Sequence, residues 1–194
     1  MKCFESKISE MEQCSINLND NKVYLNLPHA EQILHEAFAY FLGRENRKTV
    51  WLPEYNQVCE WLADNQGKGL FMFGSCGRGK SLLCRYILPS ILLLYFRKVA
   101  SVFDVQAMNN NIDYVLSRHI VSLDDVGTED ISNIYGNKRM AFAEIMDAAE
   151  KQGKLIIVST NLSVEDIRKQ YGDRTLERIK ATTHRVLFEG ESLR

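Results

Sequence analysis

The chain of 194 residues has no C-x-x-C pair, and its five cysteines, Cys3, Cys14, Cys59, Cys76 and Cys84, are odd in number and scattered. That argues against a disulfide framework or a zinc cluster and fits reduced thiols. A dominant charge is missing too. The formal net charge is −1, so no global field draws the chain to nucleic acid or to an anionic membrane. No apolar run approaches the roughly 20 residues that cross a bilayer. The most apolar stretch, residues 87–96, is far shorter and contains Pro89, so it reads as a buried helix kinked or broken at the proline. Met1-Lys2-Cys3-Phe4-Glu5 lacks the apolar core of a secretory leader. Repeats and low-complexity tracts are absent. These gaps leave a globular chain expected in the cytoplasm, with no membrane partner.

What is present is concentrated in Gly74-Ser75-Cys76-Gly77-Arg78-Gly79-Lys80-Ser81, the phosphate-binding pattern G-x-x-x-x-G-K-S. An apolar run of strand length, Gly69-Leu70-Phe71-Met72-Phe73, precedes it, and Leu82 opens an apolar helix after it. Strand, glycine loop and helix form the context this motif requires. Glycines let the backbone wrap an anion, and the first helical N–H groups, Leu82 included, point at it. Lys80 is expected on the β- and γ-phosphates as a point charge, and the Ser81 hydroxyl on Mg²⁺. Cys76 lies within the loop, where a small residue is tolerated.

Helices are expected from Pro28 to a cap at Gly43 and from Pro53 to Gly67, on the spacing of Ala30, Ile33, Leu34, Ala37, Phe38 and Phe41 and then of Tyr55, Val58, Cys59 and Leu62. Periodicity before residue 27 is weak, with a turn and a short extended piece expected at residues 17–26. After the loop helix, strands are expected at residues 99–103, 119–123, 155–159 and 185–188, with helices between them. Ser163 should cap a short helix over residues 164–170. Near-continuous apolar strands separated by helices indicate a parallel sheet covered on both faces.

Two strand ends carry further chemistry. Ile120-Val121-Ser122-Leu123-Asp124-Asp125 ends an apolar strand in two carboxylates, the Walker B form. A carboxylate there faces the ligand crevice of a parallel sheet. Asp124 is placed to hold Mg²⁺, and Asp125 to orient or deprotonate the attacking water. Ser159-Thr160-Asn161 gives the next strand a polar tip that can reach the γ-phosphate.

Together with Gly172-Asp173-Arg174-Thr175-Leu176-Glu177-Arg178-Ile179 and the ending Gly190-Glu191-Ser192-Leu193-Arg194, these segments resemble the DnaC/IstB branch of the AAA+ ATPases from about residue 50 onward. That branch holds helicase loaders and transposition helper ATPases. The resemblance implies a P-loop sandwich with five parallel strands in the order 5-1-4-3-2, of AAA+ type without a clear C-terminal lid domain. Residues 1–49 would form a small, mainly helical region, and residues 50–194 the ATPase domain. It implies Asn161 as the sensor-1 residue, Arg178 as an arginine finger offered to a neighbouring subunit's nucleotide with Arg174 as the fallback, and Arg194 as a sensor-2-like contact. The implied cofactors are ATP and Mg²⁺. The implied partners are further copies of the chain and a replicative helicase, a transposase or another DNA-machine protein.

Two departures bear on DNA. Loaders of the family carry a longer segment between the second strand and the Walker B strand. Here the connection is residues 104–118, with Arg118 its sole basic residue. The first 49 residues offer neither a zinc-ligand cluster nor a strongly basic arm, so only weak binding to nucleic acid is expected. Two other readings are an adaptor that binds nucleotide with little turnover, and a small-substrate kinase, for which no arginine-rich lid segment is present.

Overall fold

The computed structural model describes residues 21–128, 132–134 and 137–193. Two helices come first, α1 (Ala30–Gly43) and α2 (Pro53–Ala63). Strand β1 (Gly69–Gly74) comes next and runs through the glycine loop into α3 (Lys80–Leu82), a π-helical turn (Leu83–Ile87) and α4 (Leu88–Phe96). Beyond these lie β2 (Ser101–Asp104), α5 (Val105–Asn110), α6 (Ile112–Ser117) and β3 (Ile120–Val126). A small antiparallel pair, β4 (Ser132–Ile134) and β5 (Asn137–Arg139), precedes α7 (Ala141–Gln152). The chain closes with β6 (Leu155–Thr160), α8 (Val164–Tyr171), α9 (Asp173–Thr182) and β7 (Thr183–Phe188).

The main sheet has five strands in the order β2-β3-β6-β1-β7, and all pair parallel. Counted within the sheet, this is the expected 5-1-4-3-2 read from its other edge. Alternation along the strands sorts two cores. Leu70, Met72, Leu155 and Ile157 pack with α1, α2 and α4 on one face. Phe71, Ile156 and Val158 pack with α6, α7 and α9 on the other. The period of two in β-structure makes neighbouring residues of one strand face opposite layers, which is why these strands read as unbroken apolar runs. Residues 23–38 share the first core with the sheet. Among the described residues, no helix is long and apolar enough to cross a membrane.

Local expectations hold with instructive shifts. Ser163 caps α8 in a full capping box with Asp166, and Gly153 ends α7 in the left-handed conformation. The second helix stops at Ala63, not Gly67, because Asn65 takes over. Its buried Oδ1 accepts from Leu25 N–H at 2.7 Å, and its Nδ2 donates to Val23 O at 2.8 Å, clipping the incoming chain to the turn. The second strand begins at Ser101, and its connection to β3 holds a helix, α5, that sequence spacing misses. The first strand after that connection starts one residue late and runs on to Val126.

Pro89 does not break the helix. The wide turn before it uses i→i+5 spacing, with Leu88 N–H on Leu83 O. The next donor in that series would be residue 89, which as proline has no N–H. Ser122 on β3 supplies the missing hydrogen, donating from Oγ to Cys84 O at 2.6 Å. A π-turn of this kind inside an α-helix often marks a functional site.

Candidate nucleotide-binding site

The loop between β1 and α3 turns on glycines in the left-handed region. At Gly77 (φ 74°) a Cβ would lie 2.0 Å from Ser192 Oγ, and at Gly79 (φ 88°) it would lie 2.6 Å from the Tyr55 hydroxyl. Both positions therefore demand glycine by conformation and by space. Lys80 is only 5% exposed, and its Nζ donates to Gly74 O at 2.9 Å and Ser75 O at 2.7 Å. Burial lowers its pKa from the ordinary lysine value, against the pull of Cys76, Asp125 and Asp124.

Arg78 faces the other way. Its guanidinium is buried against Glu54 of α2, with Nε on Oε1 at 2.7 Å, and Nη1 donates to Glu191 O at 3.0 Å. Tyr55 donates to Arg78 O at 3.0 Å, and burial pushes its phenol pKa up to about 12. The closing residues bind the loop as well: Leu193 N–H donates to Gly77 O at 3.1 Å, and Arg47 Nη2 donates to Leu193 O at 3.2 Å. The loop is thus held from behind by α2 and by residues 191–193.

Across the crevice stand the tips of β3 and β6. Asp124 is 5% exposed and its Oδ1 accepts from Ser159 Oγ at 2.5 Å. The same Ser159 oxygen accepts from Asp125 N–H at 3.0 Å, so one hydroxyl ties both aspartates. The register of β3 shifts between Leu123 and Val126, and Asp125 adopts φ 60° there. This swings its carboxylate off the strand, where Asn161 Nδ2 donates to Oδ1 at 2.8 Å. Backbone outliers of this kind concentrate at functional sites.

A cleft of about 970 Å³ joins the two sides, bounded by Cys76, Gly77, Gly79, Lys80, Ser81 and Leu82 on one and by Asp124, Asp125 and Asn161 on the other. Its oxygen donors, the Ser81 hydroxyl and the Asp124 and Asp125 carboxylates, form a hard, all-oxygen set. Such a set suits Mg²⁺, which takes one or two carboxylates and completes its shell with phosphate and water. Among the described residues there is no cluster of three or more His, Cys, Asp or Glu that could cage a metal unaided.

Other expected site residues lie elsewhere. The side chain of Arg78 points out of the crevice, toward Glu54. Arg178 lies on α9, its side chain 11% exposed, paired with Asp147 of α7 through Nη2 and with Glu150 through Nε at 3.1 Å. Arg174 reaches the same Asp147 at 3.4 Å. Lys151, followed by Arg178 and Arg174, holds that carboxylate below the usual aspartate range. Arg194 lies outside the described residues. Sequence reasoning overlooked Glu54, Tyr55 and Arg85.

No model of a known protein family matches the chain, and no curated protein matches it. Solved structures do resemble it. The DnaC helicase loader shares 18% identity over 88% of this chain and 96% of its own, with a TM-score of 0.53. A candidate primosome component from Streptococcus pyogenes serotype M3 shares 16% over 88% of each chain, with a TM-score of 0.52. AMPPCP-bound DnaA from Aquifex aeolicus shares 16% over 73% of this chain and 48% of its own, with a TM-score of 0.53. What these likenesses show is the fold, a five-stranded parallel sheet covered by helices on both faces.

The clamp behind the loop is directly testable. Replacing Glu54 with Ala leaves the Arg78 charge buried without its carboxylate, a change that typically costs about 3–5 kcal/mol. Urea unfolding should show that loss for Glu54→Ala. The double variant Glu54→Leu/Arg78→Met should recover most of it, because no buried charge is then left over.

Proposed function

We propose that this chain is an ATP-binding and ATP-hydrolysing protein of the DnaC/IstB-like AAA+ type, acting in helicase loading or a related DNA-remodelling step in the cytoplasm. The observation that carries the reading is the convergence of Lys80 and Ser81 with Asp124, Asp125 and Asn161 on one cleft at the C-terminal ends of parallel strands. The likeness in fold to the DnaC helicase loader supports the choice of process, with a replicative helicase, a transposase or another DNA-machine protein as partner. Direct contact with nucleic acid would be weak.

The chemistry comes from the side chains. Lys80 already satisfies two loop carbonyls, so binding a triphosphate trades these neutral acceptors for charged oxygens, which hold an ammonium more strongly. The loop N–H groups cradle the same phosphates. Ser81 and Asp124 would hold Mg²⁺, which would neutralise phosphate charge. Asp125 is oriented through one carboxylate oxygen by Asn161, leaving the other to accept the proton of an attacking water. Arg178 would serve a neighbour's nucleotide, once released from Asp147 and Glu150. That engagement within its own chain favours a second reading as well, an adaptor with little turnover when isolated.

Three variants test these roles. Lys80→Ala should weaken ATP binding at least about tenfold by calorimetry, since a charge-assisted contact contributes roughly 1.5–3 kcal/mol; unchanged affinity would end the P-loop reading. Asp125→Asn should retain Mg·ATP yet lose about 10²–10⁴ in turnover, the usual share of a general base; a wild-type rate would remove Asp125 from that role.

The third variant addresses assembly. Arg178→Ala should bind ATP nearly normally while hydrolysis falls, because an arginine finger contributes about 10³–10⁵ in rate. Mixing it with Lys80→Ala should restore activity, since one mixed interface then has both residues. If the mixture stays inactive and wild-type specific activity does not change on dilution, Arg178 does not act between subunits.

A further inference from the structure

The metal-facing carboxylate has a second cation beside it that no phosphate motif includes. Asp124 Oδ1 is occupied by the Ser159 hydroxyl, and its Oδ2 faces Arg85 Nη1 at 3.6 Å. The Asp124 side chain is 6% exposed and that of Arg85 is 44% exposed, so a half-solvated arm addresses a buried acid.

The base of that arm is rigid. Arg85 sits within the π-helical turn Leu83–Ile87. One inserted residue rotates the later part of a helix by about 100° around its axis. The turn is fastened to β3 at its neighbour: Ser122 Oγ donates to Cys84 O at 2.6 Å, and Cys84 Sγ donates to Leu123 O at 3.2 Å. Cys84 is fully buried, and burial pushes its thiol up to about 12, so it stays a neutral packing group. The wide turn, Pro89 just beyond it and Ser122 together fix the side from which Arg85 approaches Asp124, within the same cleft as Lys80 and Ser81.

We propose that Arg85 is a positioning residue of this site that competes with a divalent cation for Asp124 Oδ2 and so sets how strongly nucleotide binding depends on the metal. The inference rests on the nucleotide-binding function proposed for this cleft. When phosphates enter without a metal, Arg85 offsets the repulsion between them and Asp124. When a metal accompanies the nucleotide, the same oxygen is needed for the metal or its water, and Arg85 must give it up. One cation thus favours metal-free nucleotide and opposes the metal-bound form.

The test is the ratio of mant-ADP dissociation constants in EDTA and in Mg²⁺, read by fluorescence titration. A half-exposed ion pair contributes up to about 1 kcal/mol, or roughly fivefold in affinity. Arg85→Ala should therefore weaken binding in EDTA about three- to fivefold while binding in Mg²⁺ holds or tightens, so the ratio rises. Arg85→Lys, which keeps the charge, should stay near wild type. A structural defect would weaken both conditions alike and leave the ratio unchanged, and that result overturns the proposal. Should Arg85→Ala fail to fold, Arg85→Gln carries the same expectation with the stem of the side chain retained. A wild-type chain that binds no mant-ADP in either condition would overturn the nucleotide reading and this inference with it. A wild-type chain that binds, with a ratio that Arg85→Gln leaves unmoved, would overturn only the role of Arg85.

Discussion

The site depends first on the buried ion pair between Arg78 and Glu54. A loop that is to bind phosphate, as proposed here, must turn its N–H groups toward the anion, and a glycine-rich segment has little side-chain packing of its own to hold that pose. Here the Arg78 side chain points backward, donating to the Glu54 carboxylate of α2 and to the Glu191 carbonyl, while the Tyr55 hydroxyl donates to the backbone carbonyl of Arg78. An arginine buried in this way is costly to desolvate, and removing its partner would leave that cost uncompensated. The pair therefore adds more to the definition of one loop conformation than to net stability. It also makes α2 and the closing residues part of the site, although none of them belongs to a phosphate motif.

A second dependence runs through the polar residues of otherwise apolar strands. Ser122 and Ser159 are fully buried in β3 and β6, where an unpaired hydroxyl would be unfavourable. Each has a specific partner. Ser122 serves the carbonyl that Pro89 leaves without a donor, and Ser159 joins Asp124 to the backbone of Asp125. The first connects the loop helix to β3, and the second fixes the two carboxylates relative to each other. Changes in the loop helix and in the acidic tip are thus mechanically linked through two hydroxyl groups.

Much of this was legible in the order of residues. The strand, glycine loop and helix around Lys80, the double aspartate after Leu123 and the polar tip at Asn161 are local patterns, and each lies where the pattern places it. Local signals suffice there because a β-strand alternates its faces and a glycine turn needs only its own residues. The missed features are of another kind. Helix α5 is six residues long and capped by the Asp104 side chain, too short for a periodic signal. The β4–β5 pair is three residues a side, also below what alternation can reveal. The π-turn depends on Ser122, a residue 38 positions from the carbonyl it satisfies.

The sequence by itself determined the sheet, its covered faces and the chemical kinds gathered at its C-terminal edge, because these arise from hydrophobic period and from motifs read within a few residues. Only the tertiary structure decided which charges meet. It turned Arg78 away from the cleft, brought Arg85 to Asp124 and placed Arg178 between Asp147 and Glu150. An arginine's direction is set by the nearest buried or half-buried carboxylate, and that neighbour is supplied by packing between elements far apart in the chain, which no local pattern encodes.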